Sequence, residues 1–480
     1  MLGVSCVLVG AFLLQSALAL SSFHPVLQQK VVLRPFPYPY EAMLAIESDA
    51  DHVNLRKFNI IHEFLNTRMH TPLGKGLGLD ISDSFFLYNG SNLPDVIDYN
   101  GAKLSTEMTF FRGITHKLAY GPILLHYMRV GWIDTFHAMG DFSRIDTKQT
   151  LFSRHLAAYA LRYLEKHGIH LSVITDHGNQ SNVDNFGAYA INRFEHYQQG
   201  DNPESPYFIT DLLHQAGVRF VWPDLFSQKY AYSSMIYPIH LRDGREIWGF
   251  WRFTGTLHKV LNHHLWRYDW TDLWNPAELS TELSPARLSL LVHDHAYTII
   301  ATHLEGNANQ MPLSTSAVEA LTHLSHLQDH GKILVARTSR LLQYNLVHQY
   351  LRYTTYQKSG RTWINILAVA DPVDGAFVPT LDQLHGITFS VVHPLRTVIL
   401  LRGKKILDAF LTKNNNSIGF RWYAPDTKNY AEWQLPKNHV PSRIKKVSYK
   451  LLAVLIDGFL AITLIVTILY ARRTSKHQHH

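Results

Sequence analysis

The sequence contains a single cysteine in 480 residues, Cys6, which lies inside an apolar N-terminal segment. If that segment is removed on export, the remaining chain has no intramolecular disulfide, no thiol nucleophile and no cysteine ligand for a metal. A fold without such cross-links must be held together by its apolar core, and about 430 residues are enough to bury one.

Charged residues are also scarce, at 17% of the chain, whereas hydrophobic residues make up 46% and aromatic residues 12%. This composition excludes a disordered chain and is typical of a packed globular protein. The net charge is +7, and many of the basic side chains crowd near the C-terminus. They are Arg443, Lys445, Lys446, Lys450, Arg472, Arg473 and Lys476. Because the excess charge belongs largely to a terminal segment, we expect no nucleic-acid binding.

Both ends of the chain carry long apolar runs. Residues 2–19 end in the small-x-small pattern Ala17-Leu18-Ala19, which predicts a secretory signal peptide over residues 1–19. No lysine or arginine precedes this run, so a retained N-terminal anchor is the alternative. Residues 451–470 would span about 30 Å as a helix, which predicts a transmembrane helix. We therefore expect a single-pass membrane protein with residues 471–480 in the cytoplasm and the main domain extracytoplasmic, periplasmic or at the cell surface.

Between these ends, short apolar runs alternate with helical patterns. Strands are expected at 42–48, 131–139, 170–175, 218–222, 296–303, 332–338 and 363–370. Residues 149–167 read as a helix, and Ser316 with Glu319 forms a capping box that opens another. This alternation indicates an α/β fold with a parallel sheet. The number of units favours a (β/α) barrel over residues 20–370, with a doubly wound open sheet as the alternative.

After Asp371 the pattern changes to short alternating runs divided by turn residues. We expect a small antiparallel, β-rich domain over residues 371–442, between the barrel and the membrane.

Polar side chains end several of the expected strands, and in parallel α/β folds ligands bind at the carboxyl ends of strands. The side chains are Asp49 and Asp51; Asp134, His137 and Asp141; Asp176, His177 and Asn179; and His303. Carboxylate and imidazole groups together suit a hydrolytic cation such as Zn²⁺, which makes its bound water acidic. One aspartate of the first pair can bind the metal while its neighbour acts as the base, and a histidine can protonate the leaving group.

Residues from about 40 to 345 resemble the polysaccharide deacetylase superfamily, the NodB-like carbohydrate esterases. That family has a strand ending in two aspartates, a base and a metal ligand, and Asp49 and Asp51 match them with Ala50 between. Its H-x-x-x-H motif, two metal ligands, resembles His137 and Asp141, which have the same spacing with an aspartate in place of the second histidine. Its last motif, an apolar strand that ends in the acid histidine, resembles TIIATH with His303.

This resemblance implies a distorted, seven-stranded (β/α) barrel and deacetylation of an N-acetylated glycan. Asp51, His137 and Asp141 would bind a divalent metal, with Zn²⁺ expected. Asp49 would be the base, and His303 or His177 would protonate the departing amine.

Other interpretations stay open at this stage. Asp51 is well placed to cap the helix that follows it, and Asp141 to cap a turn. Arg252 fits either a substrate contact or a structural ion pair, and the aromatic residues of 247–253 and 268–274 fit either sugar stacking or core packing. The protein can also be a glycosidase on a related barrel, or a non-catalytic glycan-binding or envelope protein that kept the fold.

Overall fold

The computed structural model describes residues 31–49, 51, 53–91, 108–143, 149–177, 182–187, 198–227, 229–255, 276–304, 313–425 and 428–431. The predicted signal peptide and the predicted transmembrane helix at 451–470 lie outside these ranges. Within them, every helix is too short or too polar to cross a membrane.

One large sheet dominates the described residues. Its strands are β1 (Ala42–Asp49), β2 (Ser82–Phe85), β3 (Ile133–His137), β4 (Val173–Thr175), β5 (Phe220–Trp222), β6 (Phe226–Ser227), β7 (Ile236–His240), β8 (Glu246–Phe250), β9 (Arg252–Phe253), β10 (Tyr297–Thr302) and β11 (Ile333–Val335). Their order is β6-β9-β10-β1-β2-β3-β4-β5-β8-β7, and β11 also pairs with β1. Adjacent strands are parallel except β7, which runs antiparallel to β8, so the sheet is mixed.

This sheet is strongly curled, because its two ends are joined by very short stretches of chain. Strands β5 and β6 lie far apart in the strand order, yet only residues 223–225 separate them. Trp251 alone separates β8 from β9, which likewise belong to opposite ends. A few residues span at most about 3.5 Å each, so the two ends must lie close together. The result is a half-barrel, which is more strongly curled than the doubly wound open sheet of the alternative prediction.

The helices follow the strands in the expected alternation. They are α1 (Leu55–Asn66), α2 (Gly121–Val130), α3 (Arg154–Lys166), α4 (Thr210–Ala216), α5 (Leu279–Glu282), α6 (Pro285–His293), α7 (Thr315–Asp329) and α8 (Thr338–Tyr350). The N-cap of helix α7 lies two residues before the predicted one: it is Ser314, which accepts a hydrogen bond from the Ala317 N–H at 3.2 Å. The prediction that Ser316 opens this helix is therefore wrong.

Strand β1 shows how the sheet separates two cores. Ala42, Leu44 and Ile46 pack in an outer cluster with α7, whereas Met43 and Ala45 pack in an inner cluster with α8. Side chains alternate between the two faces of a strand, so Glu47 and Asp49 continue the inner column towards the carboxyl end. The inner face is therefore apolar at the start of β1 and charged at its end.

A second, β-rich region follows α8 and adds to the inner core. Its strands are β12 (Leu351–Lys358), β13 (Arg361–Val369), β14 (Thr388–Ser390), β15 (Thr397–Leu401), β16 (Lys404–Lys405), β17 (Leu411–Asn414) and β18 (Ser417–Phe420). They form two four-stranded sheets, β12-β13-β15-β16 and, with Val32–Leu33 at its edge, β14-β18-β17.

Two features of this region differ from expectation. The strand expected at 363–370 is β13, which pairs with β12 and β15 and not with the half-barrel. Its pairing with β15 is parallel, so the region is not purely antiparallel. The domain bounds 20–370 and 371–442 stay predictions.

Candidate metal centre

Strand register brings the predicted site residues to the same edge of the half-barrel. Asp49, the last residue of β1, pairs with Ser84 of β2, and His137, the last residue of β3, pairs with Thr175 of β4. His303 directly follows β10, which runs parallel to β1. These positions are all carboxyl ends of parallel strands, as expected for a ligand site in an α/β fold.

Asp51 is the centre of this group. Its Oδ1 lies 3.1 Å from His137 Nε2, and its Oδ2 lies 3.3 Å from His177 Nε2 and 4.0 Å from His303 Nε2. Asp51, His137 and His177 offer ligand atoms that all lie within 4.8 Å of one another. Asp51 does not cap the following helix, because α1 is capped by Asn54, whose side chain accepts from the Lys57 N–H at 3.1 Å.

The His137 ring is held in a form that suits a cation. Its Nδ1 lies 2.8 Å from Thr175 Oγ1, and that hydroxyl donates to the Phe136 carbonyl at 3.3 Å. Thr175 Oγ1 therefore accepts from His137 Nδ1–H, which leaves a lone pair on Nε2. This lone pair faces Asp51 Oδ1, a buried oxygen that accepts no hydrogen bond from the described residues. Two facing electron pairs of this kind need a positive charge between them, either a proton shared by His137 and Asp51 or a metal ion, and the donor atoms fit a metal ion.

His177 is held through both its backbone and its ring. Its N–H donates to Asn185 Oδ1 at 3.1 Å, and its carbonyl accepts from Asn185 Nδ2 at 2.5 Å. The ring Nδ1 lies 2.8 Å from Asn182 Nδ2. Burial by itself would lower the pKa of this imidazole, but the Asp51 carboxylate outweighs burial and raises the pKa to about 9.

Asp49 lies on the inner face of β1 beside the Asp51–His137–His177 group, and hydrogen bonds hold both of its carboxylate oxygens. Its Oδ1 accepts from Ser84 Oγ at 2.8 Å, and its Oδ2 accepts from the fully buried Arg252 at 2.8 Å. Burial by itself would raise the pKa of this carboxyl, but Arg252 and the imidazoles of His137 and His303 hold it below its usual value. Asp49 is therefore ionised at neutral pH, as a general base must be. Arg252 forms a structural ion pair here.

Asp141, a predicted metal ligand, lies outside the three-residue group. Its Oδ1 accepts from the Ser143 N–H at 2.9 Å and is 3.9 Å from His177 Nδ1, which is the nitrogen turned away from Asp51. The position expected for Asp141 is taken by His177, which the sequence assigned to proton transfer. Asp141 caps a turn, the second of the two interpretations that the sequence left open.

Two other rim carboxylates have structural partners. Asp134 accepts from Ser82 Oγ at 2.6 Å and from the Ser339 N–H at the start of α8 at 2.8 Å. Asp176 accepts from the Phe186 N–H at 3.2 Å. Asn179 lies outside the described residues.

Sequence reasoning missed the side chains that join the two site loops. The Phe142 N–H donates to Asn182 Oδ1 at 2.7 Å, and the Met139 N–H donates to Asp184 Oδ2 at 2.8 Å. These bonds connect the turn after β3 to the segment after β4. Both residues come from the stretch around 182–187, whose only sequence signal was its density of Asn and Asp residues, which is also typical of an ordinary turn.

The aromatic residues of 247–253 pack in the core, which is the second of the two interpretations left open by the sequence. Trp248, Phe250 and Phe253 are buried in strands β8 and β9. Phe86, just after β2, is the aromatic ring that faces the site, with its centroid 4.6 Å from that of His137 and 5.2 Å from that of His177. The residues of 268–274 lie outside the described ranges.

Comparison with models of protein families gives no match. Comparison with curated proteins gives no match either. What the chain can do must therefore be argued from the Asp51–His137–His177 group itself.

Proposed function

We propose that the protein is a metal-dependent hydrolase that removes acetyl groups from an N-acetylated glycan, on a divergent NodB-like barrel. The observation that carries the proposal is the position of Asp51, a partly buried carboxylate with three imidazoles within 4.0 Å. One carboxylate and two histidines, with open positions for water and substrate, are a donor set of catalytic zinc sites.

When bound, a cation such as Zn²⁺ would supply an acidic water and a positive charge for the developing oxyanion. Asp51, His137 and His177 are the residues that would hold it. Asp49, ionised and fixed by Ser84 and Arg252, takes a proton from water. A histidine then protonates the amide nitrogen; with His177 holding the cation, this role falls to His303, whose Nε2 lies 4.0 Å from Asp51 Oδ2.

We propose further that the barrel is exported and tethered by residues 451–470. An extracytoplasmic location agrees with a glycan substrate.

The test uses the full chain, stripped with a chelator and reloaded with zinc, and an N-acetylglucosamine oligosaccharide as the probe. We expect acetate and free amines to appear together, without new reducing ends. Asp51→Asn keeps the shape of the side chain but removes its charge, and we expect it to lose both zinc binding and acetate release. The control is Asp329→Asn, which changes a carboxylate on α7 that pairs with Arg68 at the surface.

Each outcome separates the candidate functions. New reducing ends without acetate would favour the glycosidase. Glycan binding without either product would favour the non-catalytic protein. Zinc binding that is equal in Asp51→Asn and in the wild-type chain would overturn the proposed metal centre.

A further inference from the structure

One sheet of the β-rich region, β12-β13-β15-β16, carries charge of a single sign. Residues 351–369 contain three lysines or arginines and residues 396–405 contain four, and neither range contains an aspartate or a glutamate. None of these seven cations forms an ion pair with another of the described residues. A concentration of positive charge that the fold does not neutralise attracts an anionic partner.

Strand register places two of the cations and two aromatic rings on the same face of this sheet. Lys358 pairs with Arg361, and Tyr356 pairs with Trp363. Directly paired residues share a face, and every second residue of a strand returns to it, so the four side chains lie together. The alternate residue Ile364 is fully buried in the inner core. The face with the cations and the rings is therefore the outer one, and Lys358 and Arg361 are exposed on it.

The two aromatic rings form a flat apolar surface between charged side chains. The rings of Tyr356 and Trp363 are parallel, with their centroids 6.0 Å apart, and Tyr356 is 42% exposed. The C–H face of a sugar ring can stack on a flat surface of this kind, while the charged side chains beside it bind acidic groups.

More cations lie towards the other end of the same sheet. Arg352 near the start of β12 and Lys405 on β16 are both exposed. Arg352 and Lys358 are six residues apart along β12, which corresponds to about 20 Å at roughly 3.3 Å per residue. The neutral pair of Thr354 and Asn365 lies between them, together with the two rings.

This spacing favours a polymer with few charges over a nucleic acid. A nucleic-acid strand has one phosphate about every 3.4 Å, so a strand laid along β12 would place several phosphates opposite neutral side chains and rings. A glycan whose acidic groups are separated by neutral sugars can instead meet cations at both ends and stack on the rings between them.

We propose that the outer face of β12 and β13 binds an acidic N-acetylated glycan and holds the polymer for the metal centre. The second half of this statement rests on the proposed function. The sheet is fixed to the half-barrel, because Ile366 and Ile399 pack in the same core as Met43 and Ala45 of β1. A polymer bound to the sheet would therefore have a raised effective concentration at the half-barrel.

The experiment measures binding by the full chain in the presence of a chelator, so that the result does not depend on a metal. The probe is a fluorescein-labelled hyaluronan oligosaccharide, in which N-acetylglucosamine alternates with a carboxylate-bearing sugar, and binding is followed by fluorescence anisotropy. The double variant Lys358→Gln with Arg361→Gln removes two cations of the face. We expect its affinity to fall about tenfold and to depend less steeply on salt.

A matched control removes the same two kinds of cation elsewhere. Arg162→Gln with Lys166→Gln changes two exposed positions of α3, and we expect it to bind hyaluronan as the wild-type chain does. Tyr356→Ala removes one ring, so we expect weaker binding with an unchanged dependence on salt.

Three results would overturn the proposed glycan-binding face. They are equal affinities for the two double variants, equally tight binding of a neutral N-acetylglucosamine oligosaccharide of the same length, and tighter binding of single-stranded DNA or of anionic lipid vesicles than of hyaluronan. If the face binds hyaluronan as expected but the zinc-loaded chain releases no acetate from any probe, the proposed hydrolase is refuted and the glycan-binding face stands. Where acetate is released, the Lys358→Gln, Arg361→Gln variant should raise KM for the acidic polymer and leave kcat unchanged.

Discussion

Glu47 provides the sharpest test of the charge arrangement inside the half-barrel. It lies on the inner face of β1, two residues below Asp49, and is fully buried. Neither of its carboxylate oxygens accepts a hydrogen bond from the described residues, although Arg252 Nε lies 3.4 Å from Oε2. Burial raises the pKa of this carboxyl from its usual 4.5 to about 8; Arg252 opposes the change, and Asp49 and Asp134 reinforce it.

The direction of the effect on stability follows from this raised pKa. The folded protein keeps the Glu47 proton up to about pH 8, whereas the unfolded chain releases it near pH 4.5. Stability from this group is therefore complete below pH 4.5 and is lost as the pH rises through 8. Each pH unit in this window costs about 1.4 kcal/mol, so the loss is on the order of 3 kcal/mol at pH 7 and roughly 5 kcal/mol in full.

Glu47→Gln removes the proton equilibrium and keeps the shape of the side chain. We expect the free energy of unfolding of the variant, relative to the wild-type chain, to increase between pH 5 and pH 8 by roughly 3 to 5 kcal/mol. Urea unfolding followed by tryptophan fluorescence at pH 5, 6, 7 and 8, with a chelator present, measures this difference.

The control for this series is Glu319→Gln on the exposed side of α7, which should show no such trend. Two results would refute a protonated Glu47 next to Asp49. One is a free energy of unfolding that changes with pH in the same way in the wild-type chain and in Glu47→Gln. The other is a difference that increasingly favours the wild-type chain as the pH rises.

Two further predictions concern a metal ligand and a helix end. Thr175→Val removes the acceptor behind His137 Nδ1, so we expect zinc affinity to fall about 10- to 100-fold, measured by calorimetric titration; an unchanged affinity would contradict the tautomer assigned to His137. Asn54→Ala removes the side-chain cap of α1 and should lower the free energy of unfolding by about 1 kcal/mol. Ser153→Ala at the N-cap of α3 should cost much less, because Ser153 makes no side-chain cap bond, and equal losses would count against this reading of the caps.

Apolar strands were predictable from the sequence, and polar ones were not. Strand β2 was missed because three of its four residues, Ser82, Asp83 and Ser84, are polar and read as a loop. All three are nevertheless buried, and two of their hydroxyls donate to Asp134 and Asp49. A strand whose inner face lines a charged site has no apolar alternation, so periodicity cannot reveal it.

The edge of the sheet at which the site lies was predictable from the sequence. Which side chains face one another there was not. Asp49, Asp51, His137 and His303 were chosen because parallel strands end at a common edge, and the structure brings all four together. A spacing of four residues places two side chains on one face of a helix or of a strand, but not when the chain turns between them. Between His137 and Asp141 the chain turns, with Ala138 at φ 43°. Asp141 therefore does not continue the strand of His137 but pairs with Asn89 in a short ladder.

The inner face of β1 holds two carboxylates, Glu47 and Asp49, and one buried cation, Arg252, serves both. Nη2 of Arg252 lies 2.8 Å from Asp49, whereas its Nε lies 3.4 Å from Glu47. Burial would raise the pKa of both carboxyls, yet the pKa of Asp49 lies below its usual value and that of Glu47 rises to about 8. Two neighbouring carboxyls pushed apart in this way can take different roles at one pH, one ionised and one protonated. The charge of Arg252 is therefore matched by Asp49, and the proton on Glu47 prevents a second buried negative charge from competing for it.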